Sequence, residues 1–75
     1  MNTDFSRFEG LKVAVIGCGN WGKNHIRVLH EMKVLHAICD ANTEAAAKYC
    51  EQYQVLNYSL DQILADKSIR AVVIA

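Results

Sequence analysis

Val13-Ala14-Val15-Ile16-Gly17-Cys18-Gly19-Asn20-Trp21-Gly22 holds three of the four glycines in the chain, and no proline competes with them as punctuation. Before the glycines, residues 11–16 are nearly continuous apolar and β-branched, which suits a strand of a parallel sheet covered on both faces better than an alternating edge strand. After them, Gly22, Ile26 and Leu29 and, one turn on, Met32 and Lys33 follow the spacing of one face of an amphipathic helix. The segment reads as strand, glycine turn, helix.

The pattern then repeats in kind. Residues 34–39 read as a second buried strand, ending at Asp40. Asn42 is placed to cap a second helix, because its side-chain oxygen can accept an orphan N–H of the first turn. On that helix Ala46, Tyr49, Cys50 and Tyr53 form the apolar stripe, and Glu44, Lys48, Glu51 and Gln52 are left for water. A short third strand follows at residues 55–58. Ser59 and Gln62 have the spacing of a capping box, and Tyr58 with Ile63 that of a hydrophobic staple, so a short helix to about Asp66 is expected. Residues 71–75 are a fourth apolar strand. Strands alternating with helices imply parallel β-α-β units with right-handed crossovers. The expected fold is therefore α/β, a partial Rossmann sheet built as β-α-β-α-β-α-β with strand order 3-2-1-4. Two helices cover one face, the short third helix covers part of the other, and the fourth strand is an open edge. Residues 1–10 are read as a leader and residues 11–75 as the folded part.

Composition narrows the function classes. The chain has 75 residues, 52% of them apolar, with eight Lys plus Arg against eight Asp plus Glu. That is too apolar for a disordered tail. It also lacks the clustered excess of positive charge that nucleic acid or an anionic membrane surface demands, so neither is expected as a partner. Lys12, Lys23 and Lys33 form no single patch. Three cysteines without C-x-x-C spacing fit neither a disulfide framework nor a zinc knuckle. The first ten residues lack the apolar core of a secretory signal, and no apolar run approaches the roughly 20 residues of a membrane span. A soluble cytoplasmic protein is the expectation.

Within this frame Gly17-Cys18-Gly19-Asn20-Trp21-Gly22 is G-x-G-x-x-G, following a strand and opening a helix, with Asp40 placed 18 residues after the last glycine at the end of the next strand. This context points to a dinucleotide. Gly17 permits the tight turn, Gly19 lets the backbone approach a pyrophosphate, and Gly22 lets the helix lie close to the sheet. The helix N-terminus supplies N–H groups and partial positive charge to phosphates. Asp40 is placed to accept from the adenosine ribose hydroxyls. It would repel a 2′-phosphate, and Ala41 and Asn42 offer no cation for one, so NAD is preferred over NADP.

The run from Val13 to Gly22, followed by Lys23-Asn24-His25 and Leu29, resembles the N-terminal domain of the glucose-fructose oxidoreductase and inositol dehydrogenase (Gfo/Idh/MocA) family. Ile38-Cys39-Asp40, the segment from Tyr58-Ser59 to Ile63-Leu64, and Ala71-Val72-Val73-Ile74-Ala75 carry the resemblance on, so that it covers residues 12–75. The Gly-Asn-Trp-Gly-Lys-Asn-His wording is similar to members that oxidise nucleotide-linked sugars, the nucleotide-sugar 3-dehydrogenases. The resemblance implies NAD-dependent oxidation of a secondary alcohol on a sugar, nucleotide-sugar or cyclitol. It implies that Gly17, Gly19, Asn20, Trp21 and Gly22 wrap the pyrophosphate, that Asp40 holds the ribose and that Ala75 lies near the cofactor. The family's catalytic Lys, in a Glu-Lys-Pro motif, and its downstream His have no counterpart in this sequence, so no catalytic residue is assigned. Arg70 stands where the family usually has an acid, a departure at a surface turn. The chain then reads as the first half of a Rossmann domain without the substrate domain. Its exposed apolar face and unpaired edge favour a homo-oligomer.

Other readings compete at single residues. His25 and His30 lie on different faces of a helix and His36 on a strand, so no metal site is expected. Cys18 sits beside a helix N-terminus, which can lower a thiol pKa, but a small side chain tolerated in a tight loop is the plainer reading. Trp21 could line the cofactor site, form a subunit contact or cover the sheet edge. Tyr49 and Tyr53 read as core. An S-adenosylmethionine-dependent methyltransferase shares the Ile16-Gly17-Cys18-Gly19 start, yet Val15 and Trp21 stand where that family carries an acid and a glycine. A non-catalytic dinucleotide-sensing or assembly module is the third class, since no proton donor, acceptor or nucleophile converges in the sequence.

Overall fold

Strands β1 (Val13–Ile16), β2 (Leu35–Cys39), β3 (Leu56–Asn57) and β4 (Ala71–Ile74) alternate with helices α1 (Asn20–Glu31), α2 (Thr43–Tyr53) and α3 (Leu60–Ala65). The computed structural model describes residues 10–75, and for Asn20 and Trp21 the backbone alone. The leader read at residues 1–10 thus lies, apart from Gly10, outside the described residues. All three strand pairings are parallel and the order is β3-β2-β1-β4, the arrangement expected from the alternation of elements.

The continuous apolar run of β1 is explained by its place between β2 and β4: Val13, Ala14 and Val15 are all buried, because both faces of the central strand are covered. On one face Val15 and Ile38 meet Ile26 of α1 and Cys50 of α2, with Cys18, Tyr49 and Tyr53 closing the cluster. On the other face Ala14 and Ala37 meet Ile63 of α3, joined by Tyr58 and Ile69. Small alanines face α3 because that short helix brings only one large buried side chain. β4 is mostly exposed, Val72 and Ile74 included, as an edge strand with one neighbour.

Strand alternation breaks once. Val13 pairs with Leu35 but Ala14 pairs with Ala37, so His36 is the extra residue of a β-bulge. Leu35 stays with the α1–α2 cluster while Ala37 joins the α3 cluster, and His36 turns to the α3 side.

The caps follow the sequence at helix starts, and the structure departs from it at the end of α1. Asn42 accepts from the Ala45 N–H at 3.1 Å, and Ser59 and Gln62 form the complete capping box. Ile63 is buried in the cluster that Tyr58 joins, as the staple spacing requires. Met32 and Lys33 do not continue α1, however. The helix stops at Glu31, and Lys33 takes φ 62° with its N–H on the His30 carbonyl, while the Val34 N–H reaches back to the Leu29 carbonyl. These two bonds are a Schellman closure made without glycine. Gln54 ends α2 in the same left-handed region, its N–H on the Cys50 carbonyl.

Candidate dinucleotide site

The site lies where β1, β2 and β4 deliver their C-terminal ends to the start of α1. β1 is held on both sides at this point: the Gly17 N–H donates to the Cys39 carbonyl at 2.8 Å, and the Ala75 N–H donates to the Ile16 carbonyl at 2.9 Å. The chain then turns through Gly17 at φ 97°, a conformation that a side chain rarely tolerates. A Cβ at Gly17 would stand 2.9 Å from the Ala75 carbonyl oxygen. At Gly22 a Cβ would strike the Gly17 carbonyl and lie 3.5 Å from the Ala75 methyl group. Gly17, Gly22 and Ala75 therefore form one close junction between turn, helix and β4.

Gly19 is different. Among the described residues nothing lies within 4 Å of where its Cβ would be, so the peptide backbone is open to approach from that side. It is also the N-cap of α1, whose first helical bond runs from the Lys23 N–H to the Gly19 carbonyl at 2.9 Å. Among the described residues no side chain caps the helix there and no acid occupies its first turn, so its orphan N–H groups keep their partial positive charge. The backbones of Asn20 and Trp21 begin this helix; the three readings of the Trp21 side chain lie outside the described residues.

Asp40 follows β2 directly and binds the glycine turn across 22 residues of sequence. Its Oδ2 accepts the Cys18 N–H at 2.7 Å and the Cys18 thiol at 3.1 Å, and its Oδ1 accepts the Asn42 N–H at 2.7 Å. The Cys18 N–H, then the Asn42 N–H, then the thiol hold the Asp40 carboxyl below the usual carboxylate range. Cys18 is shifted the opposite way. Burial first, and then the Asp40 hydrogen bond and charge, push its thiol up to about 12. At neutral pH it is a protonated donor, part of the core beside Val15 and Ile26, not a nucleophile.

A second polar cluster, not foreseen from sequence, stands at the N-terminal end of β2. Asp66 caps α3, and its Oδ2 meets His36 Nε2 at 3.2 Å and accepts the Tyr58 hydroxyl at 3.1 Å. Its Oδ1 accepts the backbone N–H and the hydroxyl of Ser68. Ser68 foremost, with His36 and Tyr58, holds the Asp66 carboxyl far below its ordinary value, and the same carboxylate raises the Tyr58 hydroxyl. Only the bulge, invisible without the pairing partner, turns His36 to this place. His30 is used elsewhere, packed at a tilt of 52° against the Tyr53 ring with centroids 4.8 Å apart. Among the described residues no group of three His, Cys, Asp or Glu could hold a metal ion, and no helix is long and apolar enough to cross a membrane.

Known proteins share this fold. A Sinorhizobium meliloti protein assigned as a myo-inositol dehydrogenase superposes with a TM-score of 0.81 at 28% identity over 87% of this chain and 20% of its own. GenD2 from gentamicin A biosynthesis, solved in complex with NAD, gives 0.77 at 29% identity, again over 87% of this chain and 20% of its own. Myo-inositol dehydrogenase from Lactobacillus casei, solved with NAD(H) and myo-inositol, gives 0.70 at 28% identity over 87% of this chain and 21% of its own. The chain thus spans about a fifth of the length of these relatives. The family model described as oxidoreductase family, NAD-binding Rossmann fold, matches residues 11–75. With the parallel sheet in the order 3-2-1-4 and the glycine turn at its centre, this match shows that the chain belongs to the Gfo/Idh/MocA oxidoreductase family, residues 11–75 lying in its NAD-binding Rossmann fold.

Proposed function

We propose that this chain binds the ADP half of NAD, through Gly17, Gly19, Asn20, Trp21, Gly22, Asp40 and Ala75, within an oxidoreductase that oxidises a secondary alcohol on a sugar, nucleotide-sugar or cyclitol. The observation that carries the reading is the open backbone at Gly19, set between an uncapped helix N-terminus and a carboxylate locked on the turn. The pyrophosphate would take the helix N–H groups and the adenosine ribose would take Asp40, while the cofactor itself supplies the hydride chemistry. NAD fits better than NADP because a 2′-phosphate would meet the Asp40 charge, with no cation at Ala41 or Asn42 to offset it. The neighbours solved with NAD, and with NAD(H) and myo-inositol, support both the cofactor and the substrate class.

At the glycine turn the described residues offer N–H donors and one carboxylate, Asp40, with no acid and base paired beside it, so the alcohol oxidation is assigned to the parent protein and residues 11–75 to the first half of its dinucleotide domain. Three free thiols fit a reducing cytoplasm. Val72 and Ile74 are exposed on β4, and self-association through this apolar surface belongs to the same proposal; light scattering would read it as a mass above the monomer.

Isothermal titration with NAD, NADP and S-adenosylmethionine tests the proposal. Heat with NAD, less with NADP and none with S-adenosylmethionine is expected. Asp40→Ala should weaken NAD by about 10- to 100-fold, the worth of a hydrogen bond to a charged group. Unchanged NAD affinity in that variant would remove the ribose from Asp40, and heat with S-adenosylmethionine in place of NAD would move the protein to a methyltransferase.

A further inference from the structure

A carboxylate offers about four acceptor positions. Asp40 has three of them filled from within the protein: the Cys18 N–H and the Cys18 thiol on Oδ2, and the Asn42 N–H on Oδ1. One position is left. A ribose diol brings two hydroxyl donors, so it cannot place both on Asp40 while all three internal bonds persist.

The three internal donors are not equal. The Cys18 N–H is fixed by the turn out of β1, and the Asn42 N–H by the approach to α2, so neither can leave without moving backbone. The thiol hydrogen needs only a rotation about the Cβ–Sγ bond, and S–H is the weakest donor of the three. We propose that the Cys18 thiol is a specificity-determining group of the dinucleotide site: it fills the acceptor position on Asp40 that the second ribose hydroxyl requires, and it is displaced when a ribose diol binds. This inference rests on the NAD reading above. The role belongs to the buried, protonated thiol as a neutral competitor, with no covalent or redox step.

The test compares wild type, Cys18→Ala and Cys18→Ser by titration with NAD and with an NAD analogue whose adenosine ribose lacks the 2′-hydroxyl. Removing the competitor in Cys18→Ala should tighten NAD by about fivefold, the worth of one net hydrogen bond, and the stronger O–H donor of Cys18→Ser should weaken it by a similar factor. With the analogue, whose single hydroxyl fits the one open position, the three proteins should bind within about twofold of one another. A change in the turn itself would move both ligands together, and that result overturns the proposal. A second readout needs no variant: the S–H stretching band of wild type should shift when NAD is added and stay in place with the analogue. Equal NAD affinities across the three proteins with an unmoved band would overturn the role of Cys18 and leave NAD binding intact, whereas no binding of NAD by wild type would overturn both.

Discussion

Gly22→Ala separates packing from ligand recognition in the glycine turn. The added methyl group would strike the Gly17 carbonyl, standing 2.7 Å from its carbon, and would lie 3.5 Å from the Ala75 methyl group. The obstacle is backbone held on both sides, since the Gly17 N–H is bonded to Cys39 and the Ala75 N–H to Ile16, so relief must come from moving the start of α1 off the sheet. Overpacking of this kind costs about 1–3 kcal/mol, and a backbone obstacle places it at the upper end. Alanine returns about 1 kcal/mol in helix propensity. The net expectation is a loss of about 2 kcal/mol, or about 8–16 °C in Tm for a domain of this size. Gly19→Ala is the control. Its Cβ meets nothing within 4 Å among the described residues and its φ of −75° suits any residue, so stability should change by no more than about 1 kcal/mol, the difference between glycine and alanine at an N-cap. The same methyl group occupies the space proposed for the pyrophosphate, so NAD affinity should fall by about tenfold or more, a loss of about 1.4 kcal/mol. Urea unfolding followed by circular dichroism reads the first effect and titration the second. A Gly22→Ala midpoint indistinguishable from wild type at equal slope, or a Gly19→Ala loss as large as that of Gly22→Ala, would refute the division of labour.

Lys33→Gly and Gln54→Gly should each stabilise the fold by about 0.5–1 kcal/mol, because relief of left-handed strain of about 1–2 kcal/mol outweighs the added chain entropy of glycine; urea midpoints that fall instead would refute this. Asp66 sets an acid limit on stability. Its folded pKa is depressed below the unfolded 3.8, so its contribution is fully present above that value and is lost as pH falls from there toward the folded pKa. Asp66→Asn should flatten the acid limb of a stability-against-pH curve, and an unchanged limb would refute a stabilising role for the Asp66 cluster with His36, Tyr58 and Ser68.

Much of this protein is written in short-range pattern. The buried run before Gly17, the period of the apolar positions in α1 and α2, the cap at Asn42 and the box at Ser59 and Gln62 each act within a few residues. Alternation of strand and helix then restricts the topology to right-handed parallel crossovers, for which 3-2-1-4 is the usual order when a G-x-G-x-x-G turn follows the first strand. The glycine turn and Asp40 were legible for the same reason: a tight turn, a close helix and an acid after the next strand are properties of spacing. The end of α1 was read late, because Lys33 closes it in the left-handed region without the glycine that usually signals it. What only the tertiary structure decided are the contacts between elements. The bulge at His36 exists only relative to β1, the Asp66 cluster needs β2, α3 and the approach to β4 in one place, and Cys18 becomes a donor to Asp40 only when the ends of β1 and β2 lie side by side. Patterns of local preference determine which elements form, whereas the partner of a buried polar atom is determined by which backbone ends the packed sheet brings within about 3 Å.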